Sequence, residues 1–304
     1  MEIEGRKRSE NFEDRGRGGG SGGGGVPIRA LLSVFRLLGP KGTLVVAALA
    51  GVGYFVLPSG IKQQLFGALL GNQGAAEGAP GTGSVCNASP TNGKACDFSR
   101  VVLASTEDVW TAKFQSGELP RYGREVATYV HPTMAVFTDS VATGCGNATS
   151  AVGPFYCPRD RKLYIDPSFY AVMEQRLRAP GDFAQAYVVA HEVGHHVQNL
   201  IGATGQPARG ESENQTSVRV ELQADCFAGV WGHTARNSLA ITDEDLKEAV
   251  NAAHAIGDDT LGHASAKDYT HGTSAQRMRW FRRGFDSGDA RQCDTFQIAK
   301  HSEL

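Results

Sequence analysis

Tyr187-Val-Val-Ala-His-Glu-Val-Gly-His-His-Val-Gln198 is the segment that decides how this chain is interpreted. On a helix, His191 and His195 lie one turn apart on the same face and can bind one metal ion. Glu192 lies near that face, where a carboxylate can serve as a general base. This H-E-x-x-H pattern is typical of hydrolytic zinc sites. The alternative is a core helix with two hydrogen-bonded histidines and a solvated glutamate, which the apolar flanks disfavour because an unpaired buried charge is costly.

A second segment offers a third ligand. Residues 217–231 also have the periodicity of a helix, and Glu221 and Asp225 lie one turn apart on an otherwise apolar stripe. Glu221 can complete a zinc site of two histidines and one glutamate. Asp225 can accept the second N–H of a ligating histidine and thereby fix its orientation. Alternatively, the two acids form a polar edge that pairs with Arg219 or with solvent.

Together the two motifs resemble those of the gluzincin metallopeptidases, H-E-x-x-H followed by E-x-x-A-D. More specifically, the chain is similar from about Phe98 to the C-terminus to the YpfJ-like neutral zinc metallopeptidases of bacteria. The segments that carry this similarity are Gly153–Cys157, Gly181–Ala184, His191–His196, Glu221–His233, Ala255–Asp259, Thr270–Ser274 and Arg283–Gly288. Residues 8–15 also resemble the N-terminal segment of that family. The resemblance implies a zinc peptidase and leaves its natural substrate open.

A later segment, Thr270-His-Gly-Thr-Ser-Ala-Gln-Arg277, resembles the His-Pro…Arg element of HtpX-type membrane metallopeptidases, with Gly272 in place of the proline. The resemblance makes His271 a catalytic candidate that donates a hydrogen bond to the oxyanion formed during peptide hydrolysis. Arg277 would anchor this loop or bind an acid near the site. Both residues also have a purely structural interpretation. His196 follows a ligand but points off the metal face, so we expect it to pack in the core.

The expected function is therefore that of a membrane-anchored endopeptidase. His191, His195 and Glu221 would hold Zn²⁺ and leave a position for a water, whose pKa the metal lowers to about 7. This zinc-bound water would be the nucleophile, and Glu192 would take its proton and pass it to the leaving amine. Two alternatives stay open: a membrane-anchored binding or assembly protein with a structural zinc, and a zinc amidase that acts on cell-wall material.

Composition limits the partners. The chain has 304 residues and a net charge of −2, and the catalytic part has no basic patch, so nothing supports binding to nucleic acid. The expected partners are a peptide or protein substrate and a membrane.

An apolar stretch near the N-terminus predicts a membrane anchor. Residues 42–61 are uncharged, and a helix of that length spans about 30 Å, the thickness of one hydrocarbon core. Eight Lys or Arg residues precede the stretch, and only Lys62 follows before Lys94. This asymmetry predicts a single pass through the bacterial inner or plasma membrane, with a cytoplasmic N-terminus and an extracytoplasmic (periplasmic-side) catalytic domain. The alternatives are a buried soluble helix and a cleaved signal peptide.

The sequence is thus divided into four parts. These are a basic, Gly-rich cytoplasmic segment (residues 1–41), the transmembrane helix (42–61), an extracytoplasmic linker (62–97) and the zinc metallopeptidase domain (98–304). All six cysteines follow the apolar stretch, which suits an oxidising compartment, although reduced thiols in a cytosolic domain are the alternative. Proximity along the chain suggests the disulfides Cys86–Cys96 and Cys145–Cys157, which leaves Cys226–Cys293.

The predicted fold is α+β and zincin-like, with a small antiparallel sheet followed by a helical half that carries the metal. Residues 128–137 and 162–166 have strand patterns, residues 150–157 are extended, and residues 157–162 make a hairpin turn. By the resemblance, this hairpin, which ends at Asp166, borders the cleft and pairs with an extended substrate. An ordinary internal hairpin is the alternative.

Two helices are expected after the metal-binding segments. Thr242 and Asp245 form a capping-box-like start for a helix that runs through Ile256. Ser274 caps the next helix, which runs through Arg283.

Overall fold

A computed structural model of the protein describes residues 1–18, 83–123, 128–206, 210–261 and 265–304. The helices of these residues are α1 (Pro90–Ser116), α2 (Phe169–Gln175), α3 (Asp182–Ile201), α4 (Glu213–Ala235), α5 (Asp243–Ala255) and α6 (Ser274–Ser287). The strands are β1 (Phe12–Arg17), β2 (Thr133–Thr138), β3 (Ser140–Thr143), β4 (Gly146–Thr149), β5 (Phe155–Cys157) and β6 (Lys162–Ile165). The predicted α+β architecture is confirmed.

The main sheet is mixed rather than antiparallel, which corrects the prediction. Its strand order is β1-β2-β6-β5, and β3 and β4 form a separate hairpin. Strands β1, β2 and β6 run parallel, and only β5 runs antiparallel to its neighbour. The long connection from β2 to β6 lets the chain return in the same direction. The predicted hairpin of β5 and β6 is confirmed, and it places β5 at one edge of the sheet, in contact with α3.

The two later helices begin with capping boxes, in which each cap side chain and the third helical residue satisfy one another's backbone N–H groups. Helix α5 uses Thr242 and Asp245, as predicted. Helix α6 is capped by Thr273 and Gln276, one residue earlier than predicted. The hydroxyl of Ser274 instead donates to a backbone carbonyl of α5, so it joins the two helices.

Helix α4 lies between α3 and α6 and approaches both closely. A Cβ atom added to Gly194 would lie 3.0 Å from the carbonyl oxygen of Ala224, and one added to Gly284 would lie 1.9 Å from that of Cys226. The approach at Gly284 leaves no room for a side chain, and the approach at Gly194 leaves very little. Because residues 221 and 225 lie on the central helix, the close packing brings them against the histidines of α3.

The N-terminal residues are part of the same folded body. Strand β1 pairs along β2, with Phe12 opposite Met134. The Ser9 hydroxyl donates to the buried Glu107 carboxylate at 2.6 Å, and the Asn11 amide donates to the same oxygen at 2.7 Å. These contacts satisfy a carboxylate that is only 3% exposed, so the segment completes the core.

This packing bears on the predicted single-pass topology. A helix that crossed a membrane once within residues 19–82 would leave β1 and β2 on opposite sides, and strands of one sheet cannot be separated in that way. Residues 84 and 85, which follow this stretch, lie beside β1. The Asp14 carboxylate accepts hydrogen bonds from the Ser84 hydroxyl at 2.6 Å and from the Val85 N–H at 2.9 Å. Residues 1–18 therefore do not fit the predicted division, which puts them and residues 98–304 on two sides of a membrane.

The predicted membrane helix itself, residues 42–61, lies outside the described residues. Within the described part of the chain, no helix is both long and apolar enough to cross a membrane. The predicted linker of residues 62–97 is also shorter than expected, because α1 already begins at Pro90. All three suggested disulfides are present: Cys86–Cys96, Cys145–Cys157 and Cys226–Cys293.

Candidate metal centre and cleft

The three predicted ligands converge at one point. Ligand atoms of His191, His195 and Glu221 all lie within 4.8 Å of one another. The Nε2 atom of His191 is 3.2 Å from one Glu221 oxygen, and the Nε2 atom of His195 is 3.5 Å from the other. Donors that surround a tetrahedral zinc ion at about 2.0–2.2 Å are separated from each other by roughly 3.3 Å. The donor set and its spacing therefore fit zinc.

Each histidine is held by an acceptor on its other ring nitrogen. The Nδ1 atom of His191 is 2.8 Å from Asp225, the partner that the sequence predicted. The Nδ1 atom of His195 is 2.8 Å from the side-chain oxygen of Gln198. The amide of Gln198 is itself oriented, because its nitrogen donates to the Val220 carbonyl at 2.7 Å. With an acceptor on Nδ1, each imidazole in its neutral form keeps its proton there and directs the Nε2 lone pair towards the metal position.

Asp225 is in turn fixed by a buried network. Arg277 donates to both of its carboxylate oxygens, at 2.8 Å each, and the Tyr187 hydroxyl donates at 2.5 Å. Arg277 is 2% exposed and Asp225 is fully buried, so the two charges neutralise each other away from water. Of the two roles that the sequence left open for Arg277, the structure shows it bound to an acid beside the site.

The buried charges shift one another's pKa values. Burial opposes the charged form of His191, but Asp225 and Glu221 outweigh it and raise the pKa of His191 to about 10. Burial would raise the pKa of Glu221, yet His195 and His191 hold it well below its usual range. For Asp225, Arg277 and His191 overcome burial and lower the pKa to about 2. A metal ion must therefore displace a proton from His191, so metal binding is coupled to pH.

The predicted general base and oxyanion donor both line the same cleft. Glu192 and His271 border it together with the three ligands. His271 is held by Asp258. One carboxylate oxygen of Asp258 accepts hydrogen bonds from the backbone N–H groups of residues 270–272 at 2.7–3.0 Å. The other oxygen lies 3.2 Å from Nδ1 of His271. With Nδ1 occupied in this way, the Nε2 atom is the nitrogen left for a substrate.

One wall of the cleft is tied to the motif helix through His196, as expected for a packing residue. Its Nε2–H donates to the Val130 carbonyl at 2.6 Å, so its Nδ1 accepts from the Tyr156 hydroxyl at 3.0 Å. Asn199 donates to the same hydroxyl at 2.9 Å. Burial lowers the pKa of His196 to about 4. These bonds join α3 to β5, the edge strand that borders the cleft.

Comparison with known proteins assigns the chain to a family. The sequence profile of the family described as "Putative neutral zinc metallopeptidase" matches residues 1–296. The chain belongs to this family. The match includes the N-terminal residues, in agreement with their place in the sheet.

Two bacterial proteins are similar to the chain in sequence. The uncharacterized protein YpfJ of Escherichia coli K12 is 43% identical over 308 residues, which cover 97% of this chain and 99% of that protein. The uncharacterized protein Rv2575 of Mycobacterium tuberculosis is 44% identical over 188 residues, 56% of this chain and 64% of that protein. No solved structure matches the chain.

Three residues that hold the side chains of this site in place were not predicted from the sequence. Gln198 and Tyr187 both lie within the opening segment, and Asp258 lies in a segment that carried the family resemblance. The signal for Gln198 was its position three residues after His195, which puts both side chains on one helix face. No local signal identified Asp258, because its partners lie 12–14 residues further along the chain.

Proposed function

We propose that the protein is a zinc-dependent endopeptidase that hydrolyses peptide bonds. One observation carries the proposal: three ligands converge in an open cleft beside Glu192, and the described residues bring no fourth ligand to them. A structural zinc ion normally has four protein ligands and does not require a carboxylate base. When bound, zinc would supply Lewis acidity and lower the pKa of a coordinated water.

The chain's own residues then have distinct tasks. Glu192 accepts a proton from the attacking water and delivers it to the leaving nitrogen, which contributes about 10²–10⁴-fold in rate. His271, held by Asp258, donates a hydrogen bond from Nε2 to the oxyanion. The edge of β5 pairs with the substrate backbone and holds the scissile bond in line with these groups.

We also propose that the folded body lies in an oxidising compartment outside the cytoplasm. The support is the set of three disulfides, which are rare in cytosolic proteins. In this proposal residues 1–18 lie on the same side of the membrane as the cleft.

The test compares the zinc-loaded wild type with Glu192→Gln on casein and on a library of unstructured peptides. We expect the variant to retain one zinc ion per chain and to lose at least about 100-fold in activity. Glu174→Gln, an exposed change on α2 away from the cleft, is the matched control and should behave like the wild type. Full activity of Glu192→Gln, or a wild type that binds no zinc, would refute the proposal.

A further inference from the structure

The cleft at the metal ligands is a chamber with largely apolar walls. The whole cavity has a volume of about 750 Å³. The apolar side chains that line it include Val152, Pro154, Phe155, Phe169, Val172, Leu177, Val188, Ile256 and Leu261. Val188 lies three residues before His191 on α3, so the apolar wall begins one helical turn from a ligand. A side chain next to the scissile bond would therefore meet this wall.

Among the described residues, the chamber offers no free partner for a charged side chain. The carboxylate, imidazole and guanidinium groups that line it are those of the three ligands, Glu192, His271 and Arg277. Arg277 is already bound to Asp225, and the others are placed for metal binding or catalysis. A substrate charge inside the chamber would lose its hydration without gaining an ion pair, which is unfavourable.

Two exposed apolar residues line the cleft. Only three large hydrophobic residues of the described chain are strongly exposed, and two of them, Val152 (62%) and Leu261 (49%), line the cleft. They come from different parts of the chain: Val152 precedes β5 and Leu261 follows α5. Apolar side chains that are left open to water at a concave site are typical of a surface that a ligand covers.

Two contacts hold the segment of residues 150–153, which carries Val152. The Ser150 hydroxyl donates to the Asp166 carboxylate at the end of β6. Gly153 has φ +76° and lies against the ring of Phe169, where an added Cβ would be 3.5 Å from the ring. The segment that carries Val152 is thus anchored to the end of β6 and to α2.

Resting on the peptidase function proposed above, we infer that this chamber selects substrates with a bulky apolar side chain, such as leucine or phenylalanine, next to the scissile bond. Burial of such a side chain in place of alanine is expected to raise kcat/KM by about 10–100-fold. Aspartate or lysine at that position is expected to be disfavoured relative to alanine. Polar, charged cell-wall peptides fit such a chamber poorly, which argues against the amidase alternative.

The experiment uses quenched fluorescent peptides with a host of alanine and one variable position, occupied by Phe, Leu, Ala, Asp or Lys. Mass spectrometry locates the cleaved bond relative to that position. We expect the zinc-loaded wild type to cleave the Phe and Leu peptides next to the variable residue, with kcat/KM about 10–100-fold above the Ala peptide.

Val172→Asp tests the wall directly, because this half-buried side chain lines the chamber. It should lower kcat/KM for the Phe peptide by at least about tenfold and improve the Lys peptide relative to the Asp peptide. Ala171→Asp adds the same charge to the neighbouring residue of α2, which is exposed and does not line the cleft. This control should keep the preference of the wild type.

Binding separates the failure of this inference from the failure of the peptidase function. Labelled Phe and Asp peptides are titrated into zinc-loaded Glu192→Gln by fluorescence anisotropy, which needs no turnover. The inference about the chamber is supported if the Phe peptide binds at least about tenfold more tightly and if adding Val172→Asp abolishes this difference. That result holds even if no peptide is cleaved, and the absence of cleavage would refute only the peptidase proposal. Cleavage without an apolar preference, or equal binding of the two peptides, overturns the chamber and leaves the peptidase standing.

Discussion

Asp225→Asn is expected to weaken both the fold and zinc binding. Asp225 is fully buried, and its carboxylate accepts two bonds from Arg277, one from Tyr187 and one from His191. The amide cannot neutralise the guanidinium, so the variant leaves a buried charge without its counter-ion. Breaking a buried pair in this way typically lowers the free energy of unfolding by about 3–5 kcal/mol. Loss of the carboxylate behind a ligating histidine typically weakens metal binding by about 10–100-fold.

Two measurements separate these effects. Urea unfolding of the metal-free protein reports the loss of stability, and competition with a chelator reports zinc affinity. Asp243→Asn is the control, because its ion pair with Arg236 is exposed (75% and 45% of the side chains) and should contribute at most about 1 kcal/mol.

A second substitution identifies the cause. Adding Arg277→Met to Asp225→Asn removes the uncompensated charge, so it should restore part of the stability and none of the zinc affinity. The reasoning is refuted if Asp225→Asn unfolds within about 1 kcal/mol of the wild type and also binds zinc within about threefold of it.

Three further outcomes are expected. Gln198→Met removes the acceptor behind His195, so zinc affinity in chelator competition should fall about 10–100-fold; unchanged affinity would show that this bond does not orient the ligand. His196 has a folded pKa of about 4 against an ordinary 6.5, so the unfolded state binds the extra proton in this window. Its contribution to the free energy of unfolding is present above pH 6.5 and is lost as the pH falls towards 4, by about 3 kcal/mol in total; urea unfolding of His196→Gln should be flatter over this range than that of the wild type. Replacing both Cys226 and Cys293 by serine opens a link between residues 67 apart, which should lower the free energy of unfolding by about 4 kcal/mol; a loss below about 1 kcal/mol would contradict the chain-entropy account.

Much of the metal site was predictable because its parts are local. The spacing of His191 and His195, and of Glu221 and Asp225, puts each pair on one face of its own helix. The predicted hairpin and the start of α5 were correct for the same reason, since a turn and a capping box are set by neighbouring residues. The start of α6 was misplaced by one residue because Thr273 and Ser274 are both able to cap a helix.

The place of the N-terminal segment could not be predicted from local sequence patterns. Charge asymmetry around residues 42–61 indicated a single membrane pass, and that argument used only local hydropathy and charge. Pairing of β1 with β2 joins residues more than 100 positions apart, and no local pattern of Phe12–Arg17 specifies its partner. The pairing does not fit the topology that the local signal favoured.

The sequence by itself predicted a zinc ion, its ligands and a general base, because their spacing puts these residues on a shared face of a helix. Only the tertiary structure decided that Gln198 and Asp258 orient His195 and His271, that residues 1–18 belong to the catalytic body, and that the cleft has an apolar wall. Each of these features depends on which distant surfaces pack together. That packing depends on close approaches such as Gly194 against Ala224, and it cannot be read from the order of residues along one helix or strand.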